Sequence, residues 1–260
     1  RGYTQGCGTL TAGLVMGGNQ GSPSSSTAAE LYDGTTFTTT TNMATGQNDG
    51  GGNGTQTAGL YSGGGPTHSN VTQEFNFSIY SPIAATWASG TNLPSVRWNT
   101  SGAGTATAGL VFGGSTGPAT PTFLNTTFEY DGSSWTGGGN FPNSTINKFG
   151  AGTQTAAIGG GGYNSGNSTT AATYNGSTWT NITATPFGTK GAGGAGTSTA
   201  ALIYGSDVSP SDNQDSYSWN GSSWAEEGAL NNTFQNGASG GPSENTAFAA
   251  GSEYSPASST

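Results

Sequence analysis

Positive charge is scarce in this 260-residue chain, which has four Lys and Arg residues against thirteen Asp and Glu and a formal net charge of −9. Arg1, Arg97, Lys148 and Lys190 cannot line the basic groove that displaces counterions from a nucleic acid. Nor can they form a polybasic patch for an anionic membrane. No run of about 18 apolar residues occurs, so no transmembrane helix and no membrane insertion are expected. Cys7 is the only cysteine, which excludes an internal disulfide and leaves the redox compartment unread. His68 is the only histidine. A His-rich zinc or copper site is therefore excluded, and a Ser-His-Asp triad would rest on that one side chain. No cofactor is expected. A sustained i, i+3, i+4, i+7 apolar pattern is also missing, which predicts little or no helix.

What the chain has in excess is glycine, 48 residues, with Ser, Thr and Asn filling much of the rest. Such a composition can signal disorder. Here aromatics reach 10% and charged residues only 7%, whereas disordered chains carry many charges and few aromatics. Many short strands joined by tight turns fit this balance.

The aromatics and glycines recur. Gly104-Thr105-Ala106-Thr107-Ala108-Gly109-Leu110-Val111-Phe112-Gly113-Gly114 aligns with segments starting at Gly8, Gly54, Gly152 and Gly196, spaced 46, 50, 48 and 44 residues apart. A degenerate sixth copy spans Asn245–Gly251. A second signature follows the first: Tyr32-Asp33-Gly34 to Phe37, Tyr130-Asp131-Gly132 to Trp135, Tyr174-Asn175-Gly176 to Trp179 and Trp219-Asn220-Gly221 to Trp224. The second repeat departs from it, with Tyr80-Ser81-Pro82 leading to Trp87. Asp-Gly and Asn-Gly predict two-residue hairpins, both residues tolerating positive φ. The flanking Tyr and Trp would meet across the hairpin as a cross-strand pair.

Four strands per repeat follow: a (Gly-x-Gly-Thr-x-Thr), b (the apolar run to Gly-Gly), c (into the Tyr turn) and d (from the Trp). Tandem four-stranded units of this length predict an all-β fold, a β-propeller. Its repeats are about 1–47, 48–97, 98–145, 146–189, 190–236 and a partial 237–260, in a single domain. Five full blades plus a partial sixth are expected, six blades being favoured over five, because closing the ring removes exposed sheet edges. Arg1 and Arg97 each precede a strand-a glycine by seven residues, so Arg1 falls at a blade joint, and the chain is expected to be part of a longer protein.

The order Leu110-Val111-Phe112-Gly113-Gly114, Tyr130, Trp135, Lys148 resembles the kelch motif. The Gly-x-Gly-Thr-x-Thr-Ala-x-Leu variant is similar to kelch-like repeats in virion proteins of marine tailed bacteriophages. The likeness covers residues 1 to about 251. It implies a virion or extracellular location, with virion proteins or host-surface glycans as partners and oligomerisation open. Kelch-propeller copper oxidases need several His and Tyr ligands, and propeller sialidases need an arginine cluster; this chain has neither set.

In an up-down blade the a–b and c–d turns share one face and the b–c and d–a connections share the other. The a–b and c–d turns are short. The b–c loops are expected at about 19–29, 66–74, 115–125, 163–170 and 206–216, and the d–a loops are long as well. Binding residues concentrate on such loops. The recognition-face candidates are Asn19, His68, Asn70, Arg97, Trp98, Lys148, Lys190, Asp207 and Asp212. Asp207, Asp212 and Asp215 are weak calcium candidates, since their spacing matches no EF-hand loop. Cys7 stands where other repeats have Ala103, Ala151 and Ala195, which predicts a small buried residue. Eleven Asn-x-Ser/Thr sequons occur, as chance allows in so Ser/Thr-rich a chain. The expected function is non-enzymatic: a virion module contacting a host surface or other virion subunits, or else a secreted carbohydrate-binding or adhesive propeller. A hydrolase using Asp207, Asp212 and Glu226 ranks below both.

Overall fold

A computed structural model describes residues 1–19, 25–65, 69–77, 86–117, 122–208 and 211–251. They form five four-stranded antiparallel sheets, each in sequence order. The first blade is β1 (Gln5–Thr9), β2 (Ala12–Met16), β3 (Ala29–Tyr32) and β4 (Phe37–Thr39). The second is β5 (Gly51–Gly54), β6 (Ala58–Ser62), β7 (Thr72–Asn76) and β8 (Thr86–Ser89). The third is β9 (Ser101–Thr105), β10 (Ala108–Phe112), β11 (Thr127–Tyr130) and β12 (Trp135–Gly138). The fourth is β13 (Ile146–Thr153), β14 (Ala156–Tyr163), β15 (Ala171–Tyr174) and β16 (Trp179–Asn181). The fifth is β17 (Gly193–Gly196), β18 (Ala201–Val208), β19 (Ser211–Trp219) and β20 (Trp224–Glu226). One 3-10 turn, Glu244–Thr246, is the only helical element among the described residues. The fold is a β-propeller: β1, β5, β9, β13 and β17 stand side by side as the innermost strands.

The favoured count of six blades is corrected to five. The sixth repeat contributes only a two-stranded sheet, β21 (Ala238–Gly240) with β22 (Phe248–Ala250), which lies between β17 and β1. This repeat keeps the glycine that turns strand a into strand b, and residues 252–260, which follow β22, lie outside the described residues. That glycine explains the repeated motif. Gly104 has φ +97, and a Cβ there would lie 2.2 Å from the Ala108 carbonyl; Gly8, Gly54, Gly152 and Gly196 repeat the clash, and Gly241 meets the Thr246 carbonyl at 2.5 Å.

The cross-strand aromatic pairs form as expected. Tyr130–Trp135, Tyr174–Trp179, Trp219–Trp224 and Tyr32–Phe37 have ring centroids 4.7–5.1 Å apart. In the second blade Phe75, not Tyr80, opposes Trp87, at 5.2 Å; Tyr80 lies outside the described residues. Indole N–H groups tie each blade to the one before it. Trp87 donates to the Thr41 carbonyl and Trp135 to that of Thr91, both at 2.9 Å, and Trp224 donates to that of Thr183 at 3.0 Å.

The c–d turns differ from the expected two-residue hairpins. Tyr130 pairs with Trp135 around a four-residue loop, and only Gly132 takes positive φ. Asp131 works through its side chain instead: Oδ1 accepts from the backbone N–H of Ser133 at 2.8 Å and Ser134 at 2.7 Å. Those donors hold its carboxyl well below the usual carboxylate range. Asn175 and Asn220 make the same pair of bonds with a neutral amide. Asp131→Asn is therefore expected to leave the thermal midpoint nearly unchanged, while Asp131→Ala lowers it by a few degrees. Melting followed by circular dichroism checks this; equal losses in both variants would show that the charge, not the acceptor geometry, holds the turn.

Candidate functional site

The a–b and c–d turns, short except for the longer β7–β8 connection, lie on one face and the b–c and d–a connections on the other. A second exception is residues 206–216. They are not a loop: β18 and β19 run on as a long hairpin, with a register shift between Tyr204 and Ser206. Asp207 and Asp212 are cross-strand partners in it, and Asp215 is on β19.

Several recognition-face candidates have structural duties. Arg97 is buried, 1% exposed, and is withdrawn as a face residue. Its Nη1 donates to the carbonyls of Gly113 at 2.8 Å and Thr126 at 3.0 Å, Nη2 donates to Thr126 Oγ1, and the guanidinium lies 4.5 Å from the Phe128 ring centroid. It pins the second blade's exit to the third blade. Lys148 is buried as well, and it sits on β13 instead of in a connection. Its amine donates to the Thr145 carbonyl and stands 5.2 Å over the Phe141 ring. Burial, then the charge of Arg97, push its pKa down to about 7.

Lys190 pairs with Asp207 and lies 5.3 Å over Tyr163. That pairing uses one of the three calcium candidates, and among the described residues no three His, Cys, Asp or Glu side chains converge to hold a metal. The Asp212 side chain and all of His68 lie outside the description. Asn19 bridges Gly2 and Ser25, Asn70 donates to the Leu93 carbonyl at 3.4 Å, and half-buried Trp98 bridges Ser115. Cys7 is buried, and burial pushes its thiol up to about 12.

What the structure brings together is a different set, at the propeller axis. Tyr3, Asp49, Asn99, Asn147, Gly191 and Asn236 all have left-handed backbone, φ between 50° and 69°. Five of them lie just ahead of a strand that faces the axis, and Asn147 is the second residue of β13. Successive members are joined by backbone hydrogen bonds: Asp49 N–H to the Tyr3 carbonyl at 3.4 Å, Asn99 to Asp49 at 3.1 Å, Asn147 to Asn99 at 3.3 Å, Gly191 to Asn147 at 3.0 Å and Asn236 to Gly191 at 2.9 Å. The six residues line a polar axial pocket of about 90 Å³ on the d–a side. Left-handed backbone favours Asn and Asp over other non-glycine residues, because their short polar side chains bond locally. Glycine at 191 shows that the backbone alone asks for no side chain.

Asp49 is the one carboxyl in this ring. Dehydration in the pocket pushes its pKa up to about 7. The ring was legible in the sequence: each member stands five residues before the turn glycine of strand a (Gly8, Gly54, Gly104, Gly152, Gly196, Gly241). Chemically it offers amide donors, carbonyl acceptors and a single titratable acid, which suits hydrogen bonding to one hydroxyl or ammonium group. No protein-family model matches the chain, and no curated protein matches it.

Proposed function

We propose that this propeller is a non-enzymatic binding module of a tailed-phage virion, working outside the cell. It contacts a host surface or neighbouring virion subunits through the face that carries the b–c and d–a connections. One observation carries the reading: the two faces are unequal. On the a–b and c–d face most turns are short and alike, the longer β7–β8 connection being the exception, while the opposite face holds most of the variable connections and, at its end of the axis, the ring that carries Asp49 and three Asn. Variable segments on a rigid scaffold are where recognition residues belong. The axial ring favours a glycan contact in particular, since planar amides and a carboxyl hydrogen-bond sugar hydroxyls from fixed positions. The pocket's size admits one polar group of a larger ligand.

Face-selective blocking tests this. Cys7 is buried, so an introduced cysteine is the only thiol open to a maleimide. Gly166 is on the b–c side, and a Cβ there meets nothing within 4 Å. Ser133, exposed, is on the c–d side. Polyethylene glycol attached to Gly166→Cys is expected to abolish binding to an array of bacterial and algal polysaccharides, and attached to Ser133→Cys to leave it intact. The reverse pattern would assign recognition to the other face. Mass spectrometry of purified virions is expected to find this polypeptide; its absence would remove the virion assignment.

A further inference from the structure

In each of the five blades, strand b is covered on its outer edge by strand c, as β10 is by β11 from Gly109↔Tyr130 to Phe112↔Thr127. β22 occupies the strand-b place of the sixth repeat, and among the described residues it pairs only with β21. Its outer edge opens on a groove of about 500 Å³. One wall is the first blade, with Leu10, Tyr32 and Phe37; the other is β22 and the segment around Leu230 and Phe234. Among the described residues no charged side chain lines it, in a chain of net charge −9.

The exposed apolar residues mark the same place. Phe37 stands in the Trp position of the first blade and is 46% exposed, whereas Trp135, covered by the preceding blade, is 9% exposed. Leu10, also 46% exposed, is on the same wall. The blade-to-blade interface is thus continuous around the ring and broken at this groove. A strand edge that no described residue pairs, beside an apolar wall, is a template for a further strand.

We propose that the groove is a strand-docking surface. It receives an extended, uncharged segment of another polypeptide, folded as a hairpin like the c–d hairpins of this chain. The segment adds antiparallel to β22, with an aromatic side chain seated against Leu10 and Phe37. Backbone bonds to β22 supply the edge pairing, and the aromatic supplies the apolar burial that every complete blade interface has.

The probe is a fluorescent synthetic peptide with the uncharged sequence of Ala171–Asn181, closed by a terminal disulfide because a free two-stranded hairpin is marginal in water. Binding to the complete chain, followed by anisotropy, is expected to saturate, and hydrogen exchange at Phe248–Ala250 to slow. Phe37→Asp, and separately Leu10→Asp, should weaken binding by about tenfold or more. Both positions are exposed, so the melting temperature of each variant should stay near that of the parent. Absence of binding, or binding indifferent to both substitutions, overturns the proposal. Binding that appears only after deletion of residues 252–260 would assign the groove to the chain's own end. A dimer in sedimentation that Phe37→Asp dissociates would assign it to a second copy. Either result also overturns the proposal.

Discussion

An Arg97→Ala protein is expected to unfold about 3 kcal/mol more easily than the parent in chemical denaturation, the largest loss from any single loop-adjacent side chain. Arg97 is the largest fully buried side chain among the described residues. Its fork satisfies the Gly113 and Thr126 carbonyls and the Thr126 hydroxyl together, and its flat face rests on Phe128. Alanine leaves both a cavity and an acceptor, the Gly113 carbonyl, without its donor. Lysine cannot repair this, since a single ammonium cannot reproduce the planar fork; Arg97→Lys should recover less than half of the loss. Methionine keeps volume without charge. Because the buried guanidinium has no carboxylate partner and its Nε makes no hydrogen bond, Arg97→Met should be the mildest of the three. Lys148 gives a second readout. Its amine is held down partly by the Arg97 charge, so it should titrate higher in both the alanine and the methionine variants. An Arg97→Ala loss below about 1 kcal/mol would mean that the joint between the second and third blades is held by its backbone bonds alone.

How far the sequence carried depends on whether each instruction is local. The Gly-Thr-x-Thr-Ala motif states its own structure, because one glycine with positive φ and one carbonyl four residues on determine the a–b turn, and repetition multiplies the evidence. The Tyr–Trp pairs were legible for the same reason. The role of Asp131 was misread because Asp-Gly is compatible with two turns, and only the register Tyr130↔Trp135 separates a side-chain cap from a positive-φ position. Residues 206–216 were read as a loop because they fall between strands b and c of the repeat; β18 and β19 instead stay paired as far as Val208 and Ser211. Arg97 and Lys148 failed most plainly. Charge was taken as a sign of solvent, yet both side chains are buried, and the partners of Arg97 include a carbonyl 29 residues away that no spacing rule anticipates. The axial ring is the opposite case: its constant five-residue offset was in plain view, but Tyr, Asp, Asn and Gly share backbone conformation instead of side-chain chemistry, so no residue-type motif showed it.

Asp49→Asn is expected to stabilise the protein at and above neutral pH, by up to about 4 kcal/mol, and to leave it unchanged below about pH 4. Asn already fills the equivalent positions 99, 147 and 236 with the same backbone conformation, so the substitution asks nothing new of the fold. The pH window follows from the proton count. An unfolded aspartate ionises near pH 4. In the folded ring, where dehydration disfavours the charge, Asp49 keeps its proton until about pH 7. Between those values the native state binds one more proton than the unfolded chain, so raising the pH favours unfolding, and above about 7 the cost is constant. The carboxyl keeps part of its surface open to the pocket, which is why the figure is an upper limit. The difference between parent and variant midpoints should therefore open between pH 4 and 7 and then level off. A flat difference would show that the carboxylate is well hydrated at the axis. The ring's acid is thus a stability cost that three other repeats avoid with an amide, and under the glycan contact proposed above Asp49→Asn should gain stability while losing polysaccharide binding on the same array.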